Sequence, residues 1–382
     1  MRIGIDAAWA CGKRTGTGIY TYDLVRSLLD SSAGHEFVLY FRDCCVKDNP
    51  LYAQAEGRAQ RRIISSRSTL WRILFQVGPA ARKDQVDVLL SPGYFLPAFA
   101  GPVLRVVTFF DLNIFKLERE WIRPKRIKDF ICLRLLLPLA ARKADHLVVI
   151  SESTQRELES IFPCTCGRNT RIYPGVSRER FQFAEAGATM SGAAPRSLYF
   201  LYVGVMSPTK NLARLIQAFG QFTRTVAPGF RLLMAGRECG SYRAKVLIPL
   251  VRRLRLEPQI EFVDFVEDDE LGRLYQGARA VVYPSLGEGF GYPLVESMLA
   301  GTPVITSTAT SCPEVVGNAG LCVDPLSVEA LAHAMTQVAL DDRLYAQLRE
   351  AGYQRAKLFS LKTMAAQYLK LFDQLDLKRK ST

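Results

Sequence analysis

Two doubly wound α/β domains joined by a linker are the fold class this sequence predicts, and three observations predict it. Short β-branched or aliphatic runs alternate with longer helical patterns along most of the chain, which argues for parallel sheets covered by helices. The alternation stops at a stretch rich in Ala, Gly and Ser with no periodic apolar face, and then restarts. The length of 382 residues exceeds one ordinary core and suits about two domains.

The first domain is expected over 1–180. Arg2-Ile5 reads as its opening strand, followed by a helix over Gly18-Leu29 and strands at Phe37-Phe41, Val86-Leu90, Val103-Thr108 and His146-Ile150, each bounded by Gly, Pro or polar residues. A linker is expected over 181–197. The second domain, 198–358, repeats the scheme with strands at Leu198-Val203, Arg231-Ala235, Ile260-Phe262, Ala280-Tyr283, Pro303-Thr306 and Leu321-Val323. Residues 359–382 read as a helix and tail that pack back on the first domain. In such sheets ligands bind outside the carboxyl ends of the strands, so the two domains are expected to face a cleft and the chemistry to lie in loops directly after strands.

Composition excludes several classes. At 48% hydrophobic and 23% charged residues, the chain is neither disordered, nor collagen-like, nor mainly embedded in a membrane. The 50 Lys and Arg against 37 Asp and Glu give a net charge of +13, which favours an anionic partner. The opening MRIGID enters a strand without a charged leader or long apolar stretch, so no secretory signal is expected. No window approaches an uninterrupted membrane span, and a cytoplasmic location follows. The nine cysteines are odd in number and scattered, reading as reduced thiols. With only His35, His146 and His333 and no paired ligand spacing, no bound metal is expected.

Four segments carry the chemistry. Asp6 opens a loop that ends in Gly16-Thr17-Gly18 at the start of a helix, where backbone N–H groups are free to meet an anion. Thr21 stands where the third glycine of a dinucleotide fingerprint belongs, so that reading is poor, and a plain loop-to-helix turn competes with a mobile acceptor-side loop. The second segment is more specific. After Ala280-Tyr283 comes a turn holding Gly287, Gly289 and Gly291 interleaved with Glu288 and Phe290, then Pro293 in the first turn of a helix running to about Ala300. Backbone N–H groups from Gly289 to Tyr292 are expected to point out of the helix start, where they hold diphosphate oxygens. Glu288 precedes that helix and Glu296 lies about one turn inside it, one suited to sugar hydroxyls and the other to a ribose diol. A dipole partner and a solvated helix residue would explain each glutamate singly, but not the three glycines around the first.

The third segment, Val203-Leu212, is a strand, a loop holding Gly204 and Lys210, and a helix start. There a lysine meets diphosphate as a point charge. The fourth is basic and amphipathic. Gly57 to Lys83 holds seven basic residues and no acidic one, interleaved with Leu70, Trp71, Ile73 and Phe75, and Lys116 to Lys143 holds nine basic and three acidic residues. Residues 1–190 carry 28 basic against 19 acidic side chains, so the excess is concentrated in the first half. Such helical segments suit docking on an anionic membrane surface; helix faces packed on the sheet are the competing reading. No nucleic-acid-binding module is present, so nucleic acid is not an expected partner.

Taken together these segments resemble the retaining GT-B glycosyltransferases of family 4, especially bacterial mannosyltransferase-like members that build O-antigen and other surface polysaccharides. The likeness runs through RIGIDAAWACGKRTGTGIYTYDLVRSLL, VVISESTQRELES, IYPGV, YVGVMSPTKNLARLIQAF, the long run from FVDFVEDD to AGTPVITS, and PEVVGNAGLCVDP. Its most specific motif is the glutamate pair Glu288 and Glu296 within GEGFG…E. The resemblance implies that Glu288 with the Gly289-Phe290-Gly291 backbone holds the donor sugar, that Glu296 binds ribose and Lys210 the diphosphate, and that Phe265 and Val266 lie by the base. It implies that Gly16-Thr17-Gly18 closes from the first domain, and that no metal or other cofactor is needed. The expected co-substrate is a nucleotide diphosphate sugar, a GDP-sugar over a UDP-sugar. A glycan or polyprenyl-diphosphate-linked acceptor is expected, with peripheral contact to the inner face of the membrane.

Three positions depart from the family. Phe110-Asp111-Leu112 stands where members often carry His-Asp-Leu, Leu90 replaces a frequent His before Ser91-Pro92, and Thr209 replaces an Arg before the lysine. The first removes a hydrogen-bonding group from the reaction centre, leaving Asp111 beside Phe110 as the polar candidate. A hydrolase or epimerase of the same fold, and a catalytically silent partner in polysaccharide assembly, are the alternatives these departures leave open.

Overall fold

The computed structural model describes residues 1–11, 16–31, 34–43, 49–66, 68–116, 127–181, 198–226 and 229–381. It divides into two compact units, Met1–Gly175 with Phe359–Thr382, and Val176–Leu358.

The first unit is a seven-stranded parallel sheet. Its strands are β1 (Arg2–Ile5), β2 (Glu36–Phe41), β3 (Gln60–Ile63), β4 (Val88–Ser91), β5 (Leu104–Phe109), β6 (His146–Val149) and β7 (Asn169–Arg171), in the order β3-β2-β1-β4-β5-β6-β7. The central strands are largely apolar because helices cover both faces. Val107, Phe109, Leu147 and Val149 pack on one cluster, and Val38, Tyr40, Leu89 and Val103 on another. Strand β3, QRRI, corrects the reading of Gly57 to Lys83 as helical throughout. It is charged because it lies at the sheet edge, where basic side chains blunt further pairing. Strand β7 forms the opposite edge.

The second unit contains β8 (Tyr199–Val203), β9 (Arg231–Ala235), β10 (Ile260–Val263), β11 (Ala280–Tyr283), β12 (Val304–Ser307) and β13 (Gly320–Val323), all parallel, in the order β10-β9-β8-β11-β12-β13. Both sheets therefore reverse their winding once, between β1 and β4 and between β8 and β11. That reversal is where a doubly wound sheet opens a crevice for ligands.

The boundary lies at Gly175, five residues before the expected one. Residues 176–181 pack on the second unit because Phe181 meets the Tyr275 ring edge-on at 6.0 Å. A Cβ on Gly272 would stand 2.4 Å from the Phe181 carbonyl oxygen, so only glycine admits this approach. Residues 182–197 of the expected linker lie outside the described residues. The C-terminal helix Leu361–Ser381 joins the first unit, as expected. Tyr368 and Tyr20 share a buried hydroxyl–hydroxyl hydrogen bond, and Arg379 pairs with Asp87.

Cys11 is disulfide-bonded, which overturns the expectation of reduced thiols throughout. Such pairing depends on proximity in space, and spacing along the chain does not show it. Cys164, Cys166, Cys239, Cys312 and Cys322 are free. Among the described residues no helix is long and apolar enough to cross a membrane.

Candidate active site

The loops after β8 and β11 flank the reversal point of the second sheet, and both are rich in sequence-predicted residues. After β8 the chain passes Gly204, whose φ of +147° suits glycine. It then forms a single 3-10 turn, Pro208–Lys210, stopped by Asn211 in the left-handed conformation at φ +61°. Asn211 is buried, and its amide donates to the carbonyls of Pro284 (3.1 Å) and Pro325 (2.6 Å). One side chain thus ties together the chain segments following β8, β11 and β13. Thr209, where the family carries arginine, accepts from Leu286 N–H and Ser285 Oγ through its carbonyl, so the position serves loop-to-loop attachment through its backbone.

After β11, Gly291 at φ +97° ends the glycine turn and caps the helix Tyr292–Ala300, with Pro293 in its first turn. A non-glycine residue would be strained there. The Glu288 N–H donates to Thr310 Oγ1 at 2.8 Å, and Ser311 Oγ donates to the carbonyls of Glu288 and Phe290. The turn is therefore held from the far side by the loop after β12. Its outward product is an ion pair: Lys210 Nζ donates to Glu288 Oε1, with both side chains largely buried. The Lys210 ammonium also lies 5.5 Å from the centre of the Tyr283 ring, within cation–π range. Burial and the Glu288 charge push the Tyr283 hydroxyl well above its usual range, and the same two causes push the Cys312 thiol up to about 12. Both neighbours are therefore neutral beside the Lys210–Glu288 ion pair.

Glu296 is not a solvated helix residue. It is 3% exposed, accepting from Tyr275 Oη at 2.6 Å and from Arg180 Nη2 at 2.7 Å. Arg180 also lies 3.5 Å from Asp268. Both Glu296 oxygens already hold one donor each, and a carboxylate oxygen retains a second lone pair. Phe265, in the loop after β10, is 45% exposed, with the Arg237 guanidinium 4.7 Å from its ring centre. Val266 beside it is buried.

In the first unit, Gly16-Thr17-Gly18 is not a loop but the first turn of the helix Gly16–Asp30. Thr21 Oγ1 donates to the Thr17 carbonyl. First-turn N–H groups have no intrahelical partner, so glycine there forfeits little, which explains why the glycines did not delay the helix. Residues 12–15 of this loop lie outside the described residues. Phe110, at the carboxyl end of β5, is 8% exposed, wedged edge-on against Tyr20 (5.0 Å) and Tyr94 (5.7 Å). Asp111 accepts from Tyr94 Oη at 3.0 Å and from Asn113 N–H at 3.1 Å. Among the described residues, no group of three or more His, Cys, Asp or Glu could hold a metal ion.

The sequence reading missed Asn211, Thr310, Ser311, Tyr275, Arg180 and Arg237. Only Asn211, next to Lys210 and before a helix, carried a local signal, since asparagine readily adopts the left-handed region.

Two Rossmann-type sheets in one chain, the second holding a charged pair and a glycine-capped helix start at its reversal point, place the protein in the GT-B class of glycosyltransferases. The Glycosyl transferases group 1 model matches residues 190–355 and the Glycosyltransferase Family 4 model residues 14–180. The chain is 37% identical to O-antigen chain mannosyltransferase B of Escherichia coli, over 94% of this chain and 96% of that protein. It belongs to this family of glycosyltransferases. Sucrose-phosphate synthase from Thermosynechococcus elongatus shares the fold at TM-score 0.73 and 20% identity over 99% of both chains. HepE of Anabaena, solved with UDP and glucose, does so at 0.71 and 17% identity over 98% of this chain and 99% of that one.

Proposed function

We propose that the chain transfers mannose from GDP-mannose to a glycan or polyprenyl-diphosphate-linked acceptor, with retention at the anomeric carbon and without a metal. The Lys210–Glu288 pair beside the Gly291-capped helix start carries the proposal. Cleavage of the donor bond develops negative charge on the departing diphosphate. A lysine and the N–H groups of a helix start are pre-aimed donors for that charge. Incoming diphosphate competes with Glu288 for Lys210, freeing the carboxylate to accept sugar hydroxyls. Glu296, fixed by Arg180 and Tyr275, offers its remaining lone pairs to the ribose diol. Phe265 and Arg237 offer a stacking face for the base. The choice of mannose follows the similarity to the Escherichia coli protein.

Acceptor contacts fall to the Gly16-Thr17-Gly18 turn, Phe110 and Asp111 of the first unit. Attack on the face the diphosphate leaves, with that diphosphate taking the acceptor proton, requires no protein carboxylate as nucleophile. The test is incubation with GDP- and UDP-sugars and a polyprenyl-diphosphate-linked acceptor, with EDTA present and the product anomer read by NMR. Transfer from GDP-mannose giving an α-linkage supports the proposal. An inverted linkage, a requirement for divalent metal, sugar released only to water, or nucleotide binding with no transfer would each overturn a named part of it.

A further inference from the structure

Strand β3 is followed by the short helix Thr69–Trp71, which runs directly into a π-helical segment, Arg72–Val77. Such widened turns recur at functional positions, and this one sorts its side chains sharply. Arg72 turns inward, 1% exposed, and both its hydrogen bonds to Asp6 are 2.8 Å. Trp71 and Phe75, four residues apart on one face, turn outward and pack on each other with ring centres 4.5 Å apart. They remain 56% and 39% exposed.

A second, independent oddity adjoins them. Phe99 sits at φ +56°, a region that bulky side chains rarely enter. It is 67% exposed and lies 6.0 Å from the Phe75 ring. Strain of this kind persists only where the surroundings enforce it. Here Ala98 N–H donates to the Leu74 carbonyl at 2.9 Å. A Cβ on Gly78 would stand 1.9 Å from the Ala98 carbonyl oxygen, so glycine is needed for the loop to seat. The loop is clamped to the π-helical segment, and the Phe99 ring, touching Phe75, is otherwise held out into water. An aromatic side chain kept exposed at a conformational cost points to a partner.

Charge says which partner. Between Pro50 and Asp84 the sequence holds seven basic residues against Glu56 and Asp84 alone. Arg72 is withdrawn against Asp6, and Arg58 pairs with Asp30 at 2.7 Å. Arg61 and Arg62 pair with those two carboxylates. Arg82 and Lys83 are exposed and have no carboxylate partner among the described residues. The Arg82 side chain lies along Gly101, two residues from Phe99, so a cation lies beside the loop that carries this ring. Exposed tryptophan and phenylalanine on a unit that also exposes an unpaired arginine and lysine match the boundary between acyl chains and anionic headgroups.

We propose that Trp71, Phe75 and Phe99 form a docking platform that inserts into an anionic lipid bilayer, with Arg82 and Lys83 facing the headgroups. Its use rests on the lipid-linked acceptor proposed above. Vesicle binding needs neither donor nor acceptor, so this inference and that reading fail separately.

The test is co-sedimentation of the full chain with phosphatidylglycerol-containing and pure phosphatidylcholine vesicles. The wild type is expected to bind the anionic vesicles selectively. The variant Trp71→Ala, Phe75→Ala, Phe99→Gly is expected to bind at least about tenfold more weakly. It should melt no lower than the wild type, since Phe99→Gly relieves the backbone. The variant Arg82→Glu, Lys83→Glu keeps the rings, and its affinity for anionic vesicles is also expected to fall more than about tenfold. Wild-type binding that ignores lipid charge, or undiminished binding by the aromatic variant, overturns the proposal. So does a wild-type dimer, blind to vesicles, that the aromatic variant converts to monomer, since the platform would then cover a second copy of the chain.

Discussion

Lys210 and Glu288, seventy-eight positions apart in the chain, form an ion pair at the point where the second sheet reverses its winding, between the ends of β8 and β11. Each is brought there by a turn with a left-handed residue, Asn211 after the lysine and Gly291 after the glutamate. The pair sets both side chains at that reversal point before any ligand arrives. Lys210→Met retains the apolar stem and removes the charge, so kcat is expected to fall by about 10²- to 10³-fold, the usual effect of deleting one pre-aimed donor. Steady-state kinetics with saturating donor checks it. An unchanged kcat with a raised KM would show that Lys210 binds ground state and transition state equally and gives no selective help to the leaving group.

Glu296 needs a different kind of substitution, because the carboxylate proposed to meet the ribose also holds Arg180 and Tyr275. Glu296→Ala strands a largely buried Arg180 and the Tyr275 hydroxyl. Breaking a buried pair in this way costs about 3 kcal/mol, which is expected to lower the melting temperature and obscure any loss of affinity. Glu296→Gln keeps an oxygen for Tyr275 or Arg180 and removes the charge. It is expected to melt closer to the wild type while binding the nucleotide diphosphate more weakly than the parent. Calorimetric titration of GDP into both variants, beside their melting curves, separates the two roles.

What the sequence conceals follows a physical pattern. The central strands, such as Tyr199–Val203 and Ala280–Tyr283, are apolar because both faces are covered, and runs of that kind are legible by themselves. The two strands it hides, Gln60–Ile63 and Asn169–Arg171, are the edges of the first sheet, where burial no longer dictates side-chain type. The same holds for the site. Glu288, Glu296 and Lys210 stand out because glycines and a helix start flag them. Arg180, Tyr275, Thr310 and Ser311 act from other segments, and nothing local in RERF or TATS announces a partner more than 20 residues away. The surface reading shows the limit most clearly. Arg72 counts as one more basic residue in the amphipathic stretch, yet it is buried against Asp6, because a π-helical segment re-aims it.

Asn211 offers a prediction that depends on tertiary geometry alone. Its amide makes two buried hydrogen bonds and its backbone occupies the left-handed region. Asn211→Ala loses both bonds and strains the turn, costing about 2–3 kcal/mol in all. Asn211→Gly loses the bonds but not the conformation, and is expected to cost about 1 kcal/mol less. Urea unfolding of the three proteins checks the order wild type, glycine, alanine. Because the same side chain anchors the segments carrying Lys210 and Glu288, donor KM is expected to rise in both variants.

The first unit carries its own acid sensitivity at His146. The ring is 7% exposed at the start of β6, with Nε2 2.8 Å from Thr170 Oγ1. Burial, then the positive charges of Lys378 and Arg168, lower its pKa from 6.5 to about 4. The folded state therefore keeps the ring neutral in a range where the unfolded chain takes up a proton. Unfolding is favoured as protons are added, so the contribution is fully present above pH 6.5 and is lost as pH falls towards 4. A shift of this size corresponds to a loss of up to ~3 kcal/mol. His146→Gln retains a partner for Thr170 and has no titrating group, so its stability is expected to change less over the same interval. Chemical denaturation at about pH 7, 5.5 and 4.5 measures the difference, and parallel curves for the two proteins would show that the acid sensitivity arises from some other group.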